Sequence, residues 1–230
     1  MKELFDNPLF YVLITIVAYE FGLFVYRKTK VSVLNPYLIS VILIILFLSK
    51  ANISIESYSK GGDLISFFLA PATVILAVPL YKQLNLLKAN ILPIVVGVFA
   101  GSITAIVSVC VLSKLMKLPL PISLSLVPKS ITTPIGIELS KQIKGIPSVT
   151  VATIIITGIF GAVFGPFICK LFRISDKIAV GIAFGTSSHV IGTTKAVELG
   201  EVEGAMSSLS IGIAGVITVL IAPLILKFLF

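Results

Sequence analysis

Cutting the chain at its charged residues leaves eight runs of apolar and small residues, each close to the ~20 residues of a bilayer-crossing helix. They are Pro8–Tyr26, interrupted only by Glu20; the uncharged Val31–Ser49, Leu64–Tyr81 and Ala89–Ser113; Leu118–Ile137, which holds Lys129; the uncharged Gly145–Cys169; Ile178–Thr194, which holds His189; and the uncharged Gly204–Leu226. Because the connections are short, the pattern predicts an all-α polytopic membrane protein of about eight membrane segments with no separate soluble part. Residues 1–230 then form one integral membrane domain, with 1–117 as its N-terminal segments and 118–230 as the half that carries the irregular ones. Lys2 ahead of an apolar run looks like the start of a secretory signal. The run outlasts the roughly 7–15 residues of an h-region, no small-x-small cleavage site follows and further spans succeed it, so it reads as the first span.

Two of the eight runs are interrupted by polar residues. In Leu118–Gly145, Pro128 and Pro134 bracket Lys129-Ser130-Ile131-Thr132-Thr133. A proline inside a helix removes a backbone donor and clashes with the preceding turn, so the pair should split the segment into halves. In Lys177–Glu203 an apolar Ile178–Phe184 is followed by Gly185-Thr186-Ser187-Ser188-His189-Val190-Ile191-Gly192-Thr193-Thr194-Lys195, with glycines at the edges serving as the prolines do. The two units align at a spacing of about 58–60 residues, Ser130 with Ser188 and Glu138-Leu139 with Glu198-Leu199. That makes an internal repeat carrying interrupted helices, a pattern by which transporters build a site at the bilayer midplane. Ala70-Pro71-Ala72-Thr73, with Pro79 downstream, is a third candidate break. Gly97 and Gly101, Gly158, Gly161 and Gly165, and Gly212 and Gly215 have the spacing of close helix–helix seams.

Composition agrees with this pattern: 57% of the 230 residues are hydrophobic and only 12% charged, where a soluble domain carries charge on about a quarter. That excludes a soluble enzyme, a disordered chain and a nucleic-acid-binding domain. The net charge of +8 lies in short gaps between apolar runs, where an anionic inner leaflet attracts it. Eight crossings would put Lys2, Lys50, Lys60, Lys114, Lys117, Lys170, Arg173, Lys177 and Lys227 on the side of the termini. Arg27, Lys28, Lys30, Lys82, Lys88, Lys141 and Lys144 would lie opposite, and nine against seven leans only slightly towards termini inside. Cys110 and Cys169 read as small packing residues, and a lone His189 cannot complete a metal site, so nothing calls for a cofactor.

Lys129 is the sharpest candidate, a lysine with about ten apolar or small residues on either side; at that depth a charge faces a cavity or pathway unless it snorkels to the interface. His189 would bind substrate or carry a coupling proton, or else rest as a neutral ring on a backbone carbonyl. The hydroxyls of Ser130, Thr132, Thr133, Ser187, Ser188, Thr193 and Thr194 would line a polar path, although each taken alone has its own backbone to bond to. Glu20, about 10 Å along a helix from Arg27, belongs at an interface. No nucleophile elbow or phosphate loop is present and no aspartate lies within a span, so no enzymatic chemistry is expected.

Several strings together resemble the LrgB/CidB family of bacterial membrane proteins: Leu34-Asn35-Pro36, Gly61-Gly62, Pro71-Ala72-Thr73 with Ala77-Val78-Pro79-Leu80-Tyr81, Pro128-Lys129-Ser130-Ile131-Thr132-Thr133-Pro134 and Glu203-Gly204-Ala205-Met206-Ser207-Ser208-Leu209. The likeness runs from about residue 9 to the C-terminus, and its most specific parts are the P-K-S-x-T-T-P element and H-x-I-G-T at the second break. It implies a plasma-membrane protein and two accounts of its work. One is an antiholin-like modulator of murein hydrolase export, acting with a small LrgA/CidA-type partner. The other is a carrier of small monocarboxylates of the glycolate, glycerate and pyruvate class, coupled to protons or sodium ions and assembled as a homo-oligomer or with that partner. The residues favour the carrier, since half-helix N-termini attract an anion and Lys129 or Lys195 supplies the full charge a carboxylate needs.

Overall fold

A computed structural model describes residues 7–29, 34, 36–68, 71 and 77–229. All regular structure among them is helical. The chain divides into two compact units, Met1–Ile75 and Leu76–Phe230. Four of the described helices are long and apolar enough to cross a membrane: Pro8–Thr29, Ile91–Leu115, Pro147–Leu171 and Glu201–Leu229. The sequence pattern counts eight segments. Of the other four, Val31–Ser49 yields the shorter apolar helix Pro36–Lys50, while the candidate break of the Leu64–Tyr81 run at Ala70, Ala72 and Thr73 lies outside the described residues.

The first unit holds α1 (Pro8–Thr29), α2 (Pro36–Lys50) and α3 (Ile55–Ser66). Close approach is licensed by glycine: a Cβ on Gly22 would stand 2.6 Å from the Pro36 carbonyl oxygen, and one on Gly61 2.5 Å from the Tyr11 Cβ. Thr15 and Tyr58 share a hydroxyl hydrogen bond of 2.9 Å across the α1–α3 contact. Ser54 caps α3 by accepting from the Ser57 amide.

The second unit contains α4 (Ala77–Lys82), α5 (Leu84–Ala89), α6 (Ile91–Leu115), α7 (Leu120–Leu126), a 3-10 turn (Val127–Ser130), α8 (Thr133–Gln142), α9 (Pro147–Leu171), α10 (Lys177–Leu199) and α11 (Glu201–Leu229). Helices α6 and α11 run side by side in the same direction. Ile94 and Val98, early in α6, share a buried cluster with Ala205 and Met206, early in α11. Ile106, Val109 and Cys110 share another with Ala222 and Leu226 near the far end. The unit thus has an Asn90 end and a Leu115 end, and α9 runs back from the second to the first.

The two irregular segments correct the expectation of helices that continue beyond a break, because each folds back to the end it left. Pro128 sits in the first turn of the 3-10 element and Pro134 in the first turn of α8, where a missing amide costs nothing. Between them Ile131 (φ −107°, ψ 175°) and Thr132 (φ −65°, ψ 149°) are extended. The returning arm lies against the entering one: a Cβ on Gly136 would be 3.6 Å from the Pro128 Cβ, and one on Gly145 3.1 Å from the Ser125 backbone. In α10 the reversal is at His189, whose φ of 43° and ψ of −138° leave the helical region. Val180, Phe184 and Ala196 consequently form one buried cluster, whereas straight helix would separate Val180 from Ala196 by about 24 Å.

These reversals regroup the cations, because a hairpin adds no crossing. Lys114, Lys117, Lys141, Lys144 and Lys227 gather at the Leu115 end of the unit, and Lys82, Lys88, Lys170, Arg173 and Lys177 at the Asn90 end. Apart from Lys129 and Lys195, which lie within the hairpins, the cations of this unit divide five and five between the two ends, so their balance gives no orientation.

Candidate binding site

The first hairpin, Leu120–Gln142, hangs on a buried polar cluster at its base. The Ile146 amide donates to Ser125 Oγ at 2.6 Å, and Thr150 Oγ1 donates to the Ser125 carbonyl at 2.9 Å and to Ser140 Oγ at 2.7 Å. These bonds tie both arms to the start of α9 and satisfy polar groups that would be costly to bury alone. At the tip, Lys129 Nζ donates to Ser130 Oγ at 3.0 Å. Ser130 is buried and Lys129, Thr132 and Thr133 are half-buried. Among the described residues no carboxylate forms an ion pair with Lys129.

The second hairpin, α10, is inserted between α6, α9 and α11 along glycines. Its entering arm follows α6 in parallel, with Gly97 facing Ile182 and Gly101 facing Thr186. It meets α9 in antiparallel fashion, with Gly165 against Phe184 and Gly161 against Ser188. Gly185 and Gly192, the expected break points, are contact positions instead. Gly185 abuts the Ser207 carbonyl, and a Cβ on Gly192 would be 3.0 Å from the Phe184 carbonyl oxygen, so the missing side chain lets the two arms touch. Of the other spaced glycines, Gly158 packs against His189 and Ile191, whereas Gly212 meets nothing within 4 Å among the described residues.

The tip of this hairpin is pinned from two sides. His189, 3% exposed, makes a 2.9 Å hydrogen bond from Nε2 to the Ile154 carbonyl, which requires Nε2 to carry a hydrogen. Thr193 Oγ1 donates to the His189 carbonyl at 2.8 Å and shares a 2.7 Å bond with Ser207 Oγ of α11. Ile154 also touches Gly136 of the first hairpin, so α9 holds both tips.

A cavity of about 780 Å³ opens beside these tips. Asn90, Cys169 and Asp176 line it at the Asn90 end of the unit, the last capping α10 by accepting from the Ala179 amide at 2.8 Å. Lys129 and Ser130 from one hairpin and Thr186 and Ser187 from the other also line it. Its walls are otherwise apolar or glycine, with Thr104 and Ser108 bonded to their own helix carbonyls. A pocket of low polarity with a few convergent polar groups and one uncompensated ammonium can hold a small anion.

Of the residues singled out from sequence, Lys129, Ser130 and Ser187 meet in this cavity. Ser188, His189 and Thr193 are buried behind it and bonded within the protein. Thr132 and Thr133 stand at the first tip without lining it. Thr194 is exposed and donates to the Ile191 carbonyl. Lys195 pairs with Glu198 at 2.8 Å, which leaves Lys129 as the cation of the cavity. Sequence reasoning passed over Thr186 and the Ile154 carbonyl. Thr186 stood inside the polar string that was noted, while Ile154 lies in a span that carries no local signal.

Comparison with known proteins adds a family likeness. The LrgB-like family model matches residues 15–228. Proteins named "Antiholin-like protein LrgB" from Bacillus mycoides (strain KBAB4) and Bacillus cereus (strain B4264) are each 35% identical over 224 residues, covering 97% of this chain and 97% of the relative. The protein of the same name from Bacillus anthracis (strain CDC 684 / NRRL 3495) matches to the same extent. No solved structure matches the chain.

Proposed function

The chain belongs to the LrgB-like family, and on that premise we propose that it is a secondary transporter of the plasma membrane for small monocarboxylates of the glycolate, glycerate and pyruvate class. The observation that carries the reading is Lys129: an ammonium at the tip of a hairpin, inside a largely apolar cavity, with no carboxylate partner among the described residues. A monocarboxylate needs a counter-charge and fixed donors to leave water. Lys129 is the charge, and the Ser130 hydroxyl, which accepts from it, keeps its own hydrogen to donate. The returning arms begin at the tips, so their first amides and the positive end of each helix dipole add to the field an anion meets.

The arrangement of the hairpins supports a carrier. In this reading both are re-entrant membrane segments, discontinuous at mid-depth, and they enter from opposite ends. Helix α6 followed by one hairpin, and α9 followed by the other, form the same unit in opposite orientation, an inverted repeat of the kind that underlies alternating access. Protons or sodium ions are the coupling ions of this proposal, and a second copy or an LrgA/CidA-type subunit its partner. Gly97, Gly101, Gly158, Gly161 and Gly165 are engaged within the unit, so the oligomer draws its support from the family likeness and not from those seams.

A second reading has its own support, since the relatives carry the name antiholin-like. Those names favour a modulator of murein hydrolase export over a carrier, and the cavity with its lone cation favours the carrier. Uptake of labelled glycolate, glycerate and pyruvate by liposomes containing the purified chain, with and without an LrgA-like partner, separates them. The carrier reading expects saturable uptake of at least one acid. Uptake equal to that of empty liposomes in both arms, together with altered hydrolase release from cells lacking the protein, would leave the modulator reading standing.

A further inference from the structure

The cavity beside the hairpin tips is longer and larger than the smallest acids require. Its lining follows one face of α6 from Asn90 to Ser108, about 27 Å of helix, and its volume is about 780 Å³. A small acid takes the room of a few waters, about 100 Å³, and leaves most of that space over. The surplus is apolar: Pro93, Ile168, Ile178, Ile182 and Phe184 are on its wall, and the charged side chains there are Lys129 and Asp176, the second already engaged in capping α10.

The glycines on the wall differ in what crowds them. A Cβ on Gly101 would stand 2.8 Å from the Thr186 methyl group and one on Gly165 2.6 Å from the Phe184 ring, while one on Gly161 would collide with Ser188, so packing forbids a side chain at each. At Gly97 the nearest atom would be Ile182 Cγ2 at 3.5 Å, an ordinary contact. Glycine is a poor residue for the interior of a helix, and no neighbour demands it at this position. What its missing side chain leaves free is cavity.

We propose that the site takes monocarboxylates carrying an apolar chain of several carbons, with the carboxylate on Lys129 and the chain along the wall past Gly97 and Ile182, and that Gly97 sets the size admitted. This rests on the carrier reading and extends its substrate class. The wall complements such a molecule in both its parts, since the ammonium meets the carboxylate and each carbon buried on apolar surface adds about fourfold in affinity. A lipid acyl chain by itself would cover the apolar wall and leave Lys129 without a counter-charge.

The test uses the whole purified chain in mild detergent, with the thermal unfolding midpoint followed as a function of pyruvate, of 4-methyl-2-oxopentanoate, which has the same 2-oxo carboxylate on a branched chain, and of 4-methyl-2-pentanone, which has that chain without the carboxylate. Wild type should half-saturate with the branched acid at a concentration lower than with pyruvate by about tenfold or more, and the ketone should not shift the midpoint. In Gly97→Leu the ratio between the two acids should fall about tenfold, and in Gly97→Ala by less; comparing the ratio between proteins cancels partition into detergent. Equal half-saturation by the two acids in wild type, or a ratio unchanged in both variants, would overturn the inference and leave the carrier reading intact. A ketone that shifts the midpoint as the branched acid does would also overturn it, because the wall then takes apolar chains without Lys129. A wild type that responds to neither acid would sink the carrier reading as well.

Discussion

At the scale of single residues, the decisive contrast is between two polar groups that sequence alone ranks together. Lys129 has one hydroxyl partner and a cavity before it, whereas His189 is enclosed and its Nε2 is committed to the Ile154 carbonyl. Lys129→Ala should therefore fold and insert normally, by size-exclusion profile and unfolding midpoint, yet show no midpoint shift with any monocarboxylate. Lys129→Arg should recover only part of the response, since a planar fork does not fit where a compact ammonium does. His189→Ala should behave in the opposite way. Losing a buried hydrogen bond costs about 1–3 kcal/mol, so its midpoint falls, while the pH profile of uptake keeps its wild-type shape. A displaced pH profile with unchanged stability would return His189 to the role of proton carrier.

At the scale of elements, the hairpins depend on absent side chains. A Cβ on Gly161 would collide with Ser188 and drive the second hairpin off α9, while one on Gly212 meets nothing within 4 Å. Gly161→Ala should cost about 1–3 kcal/mol as an overpacked contact and impair uptake. Gly212→Ala should gain up to about 1 kcal/mol from helix propensity and leave uptake alone. Equal midpoints in the two variants would show that α10 is not seated as described. The interruptions themselves were legible: paired prolines around Lys129 and a polar string around His189 mark where apolar helix cannot run on. Their consequence was not. Whether a chain continues or turns back depends on the φ and ψ of one or two residues and on which glycines face it, and Gly185 and Gly192 read equally well as hinges or as contacts. The helices at the seams were visible as spaced glycines, but only packing distinguishes Gly161, in tight contact, from Gly212, in open space.

At the scale of the whole second unit, the cavity is lined from Asn90 and Asp176 at one end of the unit inward to Lys129, and the base of the first hairpin is bonded to α9 at the other end. The two cysteines report on this asymmetry. Cys169 lines the cavity and is half-buried, while Cys110 is 1% exposed in the cluster near the Leu115 end. A bulky maleimide should label Cys169 and spare Cys110 in the native protein, and glycolate should slow that labelling; the reverse order of reactivity would contradict the placement of the cavity. The count of crossings was not legible in the sequence, because re-entrant and spanning segments have the same length and apolarity and differ only in where they end. The central claim joins this geometry to Lys129, and counterflow tests it directly. Liposomes loaded with unlabelled glycolate and holding the wild-type chain, with an LrgA-like subunit included, should draw in labelled glycolate against its gradient, and Lys129→Ala liposomes should not. Counterflow of equal rate in the Lys129→Ala protein, or none in the wild type, would contradict it.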